Sequence, residues 1–181
     1  RTTGDHALDV TGQSTGGFSD YLLQRGAAQV LGVDVTVSQV DARLRREPRL
    51  RLLQKNARFL CREDVPFEPD LVVMDLSFIS IAAILPVLRP FASARILALV
   101  KPQFEAPRGR VGRGGVIREA DARRDVLLRL KRRIEDLDFA VLAWCPAGVR
   151  GRRGNQEYFF LLGQGKKSSI DDTMIADAET V

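Results

Sequence analysis

Histidine and cysteine are nearly missing from this chain, which holds one His (His6) and two Cys (Cys61 and Cys145) in 181 residues. The two cysteines lie far apart and form no CxxC or Cys/His set, so no zinc-ligand pattern and no disulfide framework is visible. Free thiols in a reducing cytoplasm are the simplest reading, with no metal. Lysine is also scarce, with 5 Lys against 23 Arg. No apolar run reaches the roughly eighteen residues of a transmembrane helix. The opening RTTGDH has neither the apolar stretch nor the cleavage site of a signal peptide.

What is present is arginine-borne charge. The net charge is +5, and it is uneven, because the stretch from Lys166 onward sets Asp171, Asp172, Asp177 and Glu179 against two lysines. Arginine forks match phosphate geometry, which is consistent with a polyanionic partner; a merely solvated basic surface fits the charge equally well.

Short apolar runs alternate with helix-length amphipathic stretches, the pattern of βαβ units on a mainly parallel sheet. Strands are expected at residues 7–10, 29–34, 49–53, 70–75, 95–100, 139–145 and 158–162, and helices at 18–25, 39–46, 79–90 and 120–137. LVVMD and ILALV are almost continuously apolar, as strands covered on both faces require. The last two strands are joined by AGVRGRRGNQ, too short for a crossover, so an antiparallel hairpin is expected. The fold class is therefore α/β and Rossmann-like, a sheet of about seven strands with helices on both faces. One domain is expected over residues 1–163, followed by a loose tail over 164–181.

The segment LDVTGQSTGGFSDYLLQRG reads as strand, glycine-rich loop and helix. Gly16 and Gly17 let the backbone approach a ligand at a helix start. A phosphate-binding P-loop needs GxxxxGK[ST], and no lysine occurs here; the dinucleotide pattern GxGxxG is absent too. Gly12 to Gly16 does match GxSxG, the nucleophile elbow of α/β-hydrolases. That fold needs its histidine after the serine, and His6 precedes Ser14, so a serine hydrolase is disfavoured. A nucleoside cofactor remains. Asp9 ends the first strand and Asp34 the second, where a carboxylate suits ribose hydroxyls, although a turn or cap role fits Asp34 as well.

Asp75 closes the fourth strand and Lys101 the fifth, so Asp9, Asp34, Asp75 and Lys101 are expected on the rim where ligands of open α/β sheets gather. A lysine directly after a buried run needs a partner, and Asp75 or Glu157 can serve. A structural ion pair is the competing explanation. The loop at 105–118 carries Arg108, Arg110, Arg113 and Arg118 among glycines, and Arg150, Arg152 and Arg153 flank Glu157; both read as phosphate contacts or as plain surface loops.

Taken together, LDVTGQSTGGFSDYLLQRGA, NAR at 56–58, DLVVMDLSFIS, LVKPQFE, VGRGGV and GNQEYFFLL resemble the TlyA, or hemolysin A, proteins of the FtsJ-like ribose methyltransferases. The resemblance runs from Ala7 to Leu162. It implies S-adenosylmethionine as cofactor, held by Asp9, Gly12, Ser14, Gly16, Gly17, Phe18, Asp34, Asn56 and Asp75. It implies ribosomal RNA or ribosomal subunits as partner, contacted by the arginines named above. The implied reaction is methyl transfer to a ribose 2′-hydroxyl, with Asp75, Lys101 and Glu157 matching three members of a Lys-Asp-Lys-Glu set. The first lysine, and the family's small N-terminal RNA-binding domain, are expected outside this chain. Two departures stand out: Thr11 lengthens the turn before Gly12, and VTVSQV after Asp34 lacks the family's glycine-flanked aromatic. A non-catalytic RNA-binding module and a membrane-active hemolysin are the competing functions. No long amphipathic segment outside the α/β pattern supports the latter.

Overall fold

The structure, a computed structural model, describes residues 5–177 apart from Thr11, Gln13, Ala92, Arg108, Arg110, Arg113 and Lys166; of Arg152, Ala176 and Asp177 only the backbone is described. Seven strands form where the aliphatic runs lie: β1 (His6–Asp9), β2 (Gln29–Asp34), β3 (Leu50–Gln54), β4 (Leu71–Met74), β5 (Arg95–Val100), β6 (Phe139–Pro146) and β7 (Tyr158–Gln164). They are hydrogen-bonded in the order β3-β2-β1-β4-β5-β7-β6. β1 runs parallel to both β2 and β4, with Leu8 opposite Leu31 on one side and Val72 on the other. β2 and β3 are also parallel. β6 and β7 are antiparallel, as their short link requires, with a bulge between Val141 and Ala143.

The chain divides into two compact units. The first comprises residues 1–76 and 86–97. Its helix α1 (Gly17–Gln24) turns Leu23 inward onto Ala7, Ala27, Val30, Val40, Leu44 and Leu50, all buried. Each leucine fully withdrawn from water contributes about 1.5–3 kcal/mol, so this cluster fixes the floor on which the glycine loop rests.

The second unit comprises residues 77–85 and 98–181. Its longest helix is α4 (Ala120–Glu135), whose Val126, Leu127, Leu130 and Ile134 form the apolar stripe expected from the spacing. α4 packs on β6 and on α5 (Asp172–Asp177). It stops two residues earlier than expected, where Asp138 takes a positive φ of 63° and the chain turns into β6.

Three expectations change. The helix at 39–46 is reduced to one 3₁₀ turn, Leu44–Arg46. Asp41 accepts the Arg43 amide (2.7 Å), and the Arg45 guanidinium donates to the Val40 and Ser38 carbonyls, so local side-chain bonds displace the helical ladder. The helix at 79–90 is broken into a 3₁₀ turn (Ile81–Ala83), α2 (Leu85–Leu88) and a second 3₁₀ turn (Arg89–Phe91). Pro86 and Pro90 each remove an amide donor there. The stretch after Gly163, expected to be loose, is folded as far as the described residues go.

That last stretch is held by specific groups. Ile170 and Ile175 are buried, Ser168 Oγ accepts the Val141 amide, and the Ser169 amide donates to the Val141 carbonyl. The Lys131 ammonium lies 3.0 Å from Asp172 and 3.3 Å from Glu135. Burial works against that ammonium, yet hydrogen bonds to Asp172 and Glu135 outweigh it and raise its pKa. The Lys131 contact lowers the Asp172 carboxyl below its ordinary 3.8. A depressed carboxyl stabilises the fold above its unfolded pKa and loses that contribution as pH falls. Segment 167–177 is therefore expected to detach on acidification below about pH 4, before the sheet melts. Limited proteolysis across a pH series checks this, and uniform resistance down to global unfolding would contradict it.

Candidate active site

In the first unit, parallel pairing puts the carboxyl ends of β1, β2, β3 and β4 along one edge, and the glycine loop follows β1 there. Asp9 is fully buried and accepts a hydrogen bond from Ser19 Oγ of α1 at 2.5 Å. It therefore sits beneath the loop and braces its two ends, rather than facing out from it. Gly16 has φ 94°, a conformation that strains any side chain, and a Cβ there would lie 2.6 Å from Leu44 Cδ1, so a larger residue would also have to displace that leucine. A Cβ at Gly17 would meet nothing within 4 Å, which leaves open space at the start of α1. Phe18 is half-buried in that first turn.

Asp34, half-buried, accepts the Ser14 amide on Oδ2 (3.4 Å) and the Thr36 amide on Oδ1 (3.1 Å). It thus closes its own turn and also touches the loop. Gly12, at φ 59°, faces both rim residues: a Cβ there would lie 3.9 Å from Asp34 Oδ2 and 4.0 Å from the Asp75 carbonyl oxygen. Asn56, exposed after β3, accepts the Arg58 amide (3.0 Å) and caps a 3₁₀ turn. Beside it Lys55 donates to Asp64 at 2.6 Å, and this contact, with the Cys61 amide and thiol, lowers the Asp64 carboxyl to about 2. The segment carrying Asn56 is pinned by that pair.

In the second unit, Lys101 ends the apolar run of β5 and stands at the N-terminus of α3 (Pro102–Glu105). Pro102 keeps its backbone extended (φ −113°, ψ 98°), and its Nζ donates to Ser77 Oγ at 3.2 Å. Glu157, just before β7, is almost wholly buried and accepts from Gln103 Nε2 at 3.4 Å. Lys101 thus bonds Ser77 and Glu157 bonds Gln103, with Lys101 and Gln103 two residues apart in the chain.

Gly151 presses against this carboxylate: a Cβ would fall 2.1 Å from Glu157 Oε1 and 2.5 Å from its Cδ. Its own φ of −66° suits alanine, so the obstacle is the neighbour and not the backbone. We expect Gly151→Ala to leave the melting temperature within a few degrees but to push the Glu157 carboxylate aside. Any reaction using that group should slow about tenfold, on the order of 1.4 kcal/mol. Unchanged turnover in Gly151→Ala would show that the carboxylate position is immaterial.

The arginine-bearing loop is partly fastened. Asn155, buried, donates to the Gly115 carbonyl (2.9 Å) and accepts the Ile117 amide (3.2 Å). Arg153 donates to the Gly114 carbonyl at 2.9 Å, and Arg123 to the Arg118 carbonyl at 2.6 Å. Arg150 reaches the Gly154 carbonyl at 3.3 Å. Arg118, Arg150 and Arg153 are exposed. Arg108, Arg110 and Arg113, and the Arg152 side chain, lie outside the described residues. Among the described residues no group of His, Cys, Asp and Glu is arranged to hold a metal.

Sequence reasoning missed Ser77, Gln103, Gly151 and Asn155. Ser77, Gln103 and Asn155 stood inside quoted motifs, but their partners are far away along the chain.

A seven-stranded sheet in this order, with an antiparallel last strand and a glycine loop after β1, defines a Rossmann-like methyltransferase fold. A Burkholderia thailandensis N-methyltransferase shares it with a TM-score of 0.64 at 16% identity, covering 90% of this chain and 72% of that one. The chain belongs to the FtsJ-like methyltransferase family, which matches residues 2–164. It is 44% identical over 178 residues to the 16S/23S rRNA (cytidine-2′-O)-methyltransferase TlyA of Mycobacterium tuberculosis H37Rv, covering 97% of this chain and 66% of that protein. It is 38% identical to Hemolysin A of Brachyspira hyodysenteriae, over 83% of this chain and 64% of the relative. A solved Streptococcus thermophilus protein named as a hemolysin superimposes with a TM-score of 0.90 at 33% identity, over 98% of this chain and 66% of the other. This chain therefore spans just under two thirds of these relatives' length.

Proposed function

We propose that this chain is the catalytic domain of an S-adenosylmethionine-dependent ribosomal RNA methyltransferase acting on a ribose 2′-hydroxyl. The observation that carries the reading is Lys101, an amine at the carboxyl end of a central strand, held on Ser77 and two residues from the Gln103–Glu157 pair. The similarity to TlyA over 97% of the chain supports the substrate class. Ribosomal RNA in the cytoplasm, alone or in a subunit, is the proposed partner. Among the described residues no helix is long and apolar enough to cross a membrane.

The residues of the first unit suit a nucleoside cofactor. Open space at Gly17, the left-handed Gly12 and Gly16, and the Asp34 carboxylate bonded to the Ser14 amide suit a cradle for it. Gly12, Ser14, Gly16, Gly17 and Phe18 would hold the cofactor from the loop side, and Asp34, Asn56 and Asp75 from the strand ends, with Asp9 bracing from below. S-adenosylmethionine supplies an already electrophilic sulfonium methyl when bound, so alignment provides much of the rate. The hydroxyl oxygen must shed its proton as it attacks. Lys101 is assigned to that oxygen, where an amine takes the proton or stabilises the developing charge. Asp75 and Glu157 are assigned to orienting it. Arg118, Arg150 and Arg153, with Arg108, Arg110, Arg113 and Arg152, are assigned to RNA phosphates.

The test is transfer of labelled methyl from S-adenosylmethionine to ribosomal subunits by the full-length protein. Digestion to nucleosides should give a 2′-O-methylated nucleoside as the labelled product. Label on a base, or none on RNA, would refute the proposal.

A further inference from the structure

Three contacts join α3 to the turn that follows Leu76. Lys101 Nζ reaches Ser77 Oγ at 3.2 Å. The Phe104 ring lies 4.9 Å from that of Phe78. The Ile81 amide donates to Glu105 Oε1 at 2.8 Å. One turn of helix thus grips one turn of loop at three successive places, all within the second unit.

The gripped turn is strained. Phe78 has φ 66°, a conformation that a bulky non-glycine residue keeps only when its surroundings impose it. Its side chain is 89% exposed, so burial of Phe78 itself does not impose it. The restraint must come from the flanks. On one flank is Ser77, an exposed hydroxyl, and on the other is Ile81, buried with 2% exposure and first in its 3₁₀ turn. Ser80 caps that turn by accepting the Ala82 amide (3.3 Å), which leaves the Ile81 amide to Glu105. Burial pushes the Glu105 carboxyl up, against hydrogen bonds from the Ser80 side chain and the Ile81 amide and against the charge of Arg133. A carboxyl group is thus kept in a costly place to hold the Ser80–Ile81 start of the 3₁₀ turn.

We propose that Glu105 is a positioning residue for methyl transfer: by holding the Ile81 amide it keeps the strained Ser77–Phe78 turn closed on α3, and so fixes the Lys101 amine on Ser77. This rests on the role given to Lys101 above. Glu105 touches neither the methyl nor the hydroxyl; it acts through the turn.

The experiment compares Glu105→Ala and Glu105→Gln with wild type in the full-length protein. Amide hydrogen exchange over residues 77–84 is followed alongside kcat on ribosomal subunits and S-adenosylmethionine affinity. In Glu105→Ala, exchange at Ile81 should quicken at least tenfold and kcat should fall about thirtyfold, with cofactor Kd within twofold. Glu105→Gln retains an acceptor oxygen and should recover most of both. Should Glu105→Ala fail to fold, Glu105→Asp, one methylene too short, replaces it. Unchanged exchange at Ile81, or faster exchange with full kcat, overturns the proposal, and so does a glutamine variant as impaired as alanine. Absent transfer in the wild type overturns the reading of Lys101 and this proposal together. Transfer in the wild type with an undiminished Glu105→Ala overturns this one alone.

Discussion

Replacing Lys101 with alanine should lower kcat for ribose methylation about a thousandfold while S-adenosylmethionine binds as before. The size follows from what one group on a reacting oxygen contributes, about 10²–10⁴-fold in rate. The separation of effects follows from location. The cofactor contacts proposed above are assigned to the glycine loop, Asp34, Asn56 and Asp75, none of which this substitution alters. Calorimetry on the variant should therefore return a wild-type cofactor affinity, and single-turnover kinetics the loss. Lys101→Arg should not restore the rate, because a guanidinium keeps its proton and presents a planar fork in place of a compact ammonium. Near-normal turnover in a folded Lys101→Ala protein would remove the lysine from the mechanism. Full rescue by arginine would leave it a purely electrostatic part.

The second large effect is expected at Asp34. Loss of a charged hydrogen-bonding partner costs about 1.5–3 kcal/mol, so the cofactor Kd should rise roughly 10- to 150-fold in Asp34→Ala. Asp34 also accepts the Ser14 and Thr36 amides, so alanine loosens the loop as well. Asp34→Asn separates the two roles. It keeps an acceptor for Thr36, so the turn should persist and the melting temperature should stay close to wild type. Its amide can accept from one ribose hydroxyl, not two, so affinity should still drop. An asparagine variant that binds S-adenosylmethionine normally would reduce Asp34 to the turn residue that its spacing equally allowed.

Much of the fold was legible because its strands carry their own signal. The runs at 29–34 and 95–100 are bounded as the apolar pattern places them, and each of the other five is found within one or two residues at either end. The short link between the last strands dictated their antiparallel pairing. Helices were less secure where competing local bonds were strong. Asp41 and Arg45 bind nearby backbone and undo the expected helix at 39–46. The packing of 167–177 was illegible for another reason: Ile170 and Ile175 are two apolar residues in a polar stretch, and their burial depends on α4 and on Lys131, far back in the chain. The site divides in the same way. Residues at strand ends, such as Asp34, Asp75 and Lys101, can be placed by counting along a run. Gly151 and Asn155 matter through neighbours that only folding supplies.

The strand order has a consequence for how the molecule is made. β7 lies between β5 and β6, although among the seven described strands it is the last to be synthesised. At about 5–20 residues per second, β6 waits on the order of seconds for Tyr158–Gln164 to follow it. Until then β5 presents an open edge, and β6 lacks the antiparallel strand to which it is bonded. Glu157 enters with β7, so its carboxylate reaches Gln103 only as the sheet closes. The residues of the glycine loop are therefore made well before that carboxylate, which takes its place only with β7.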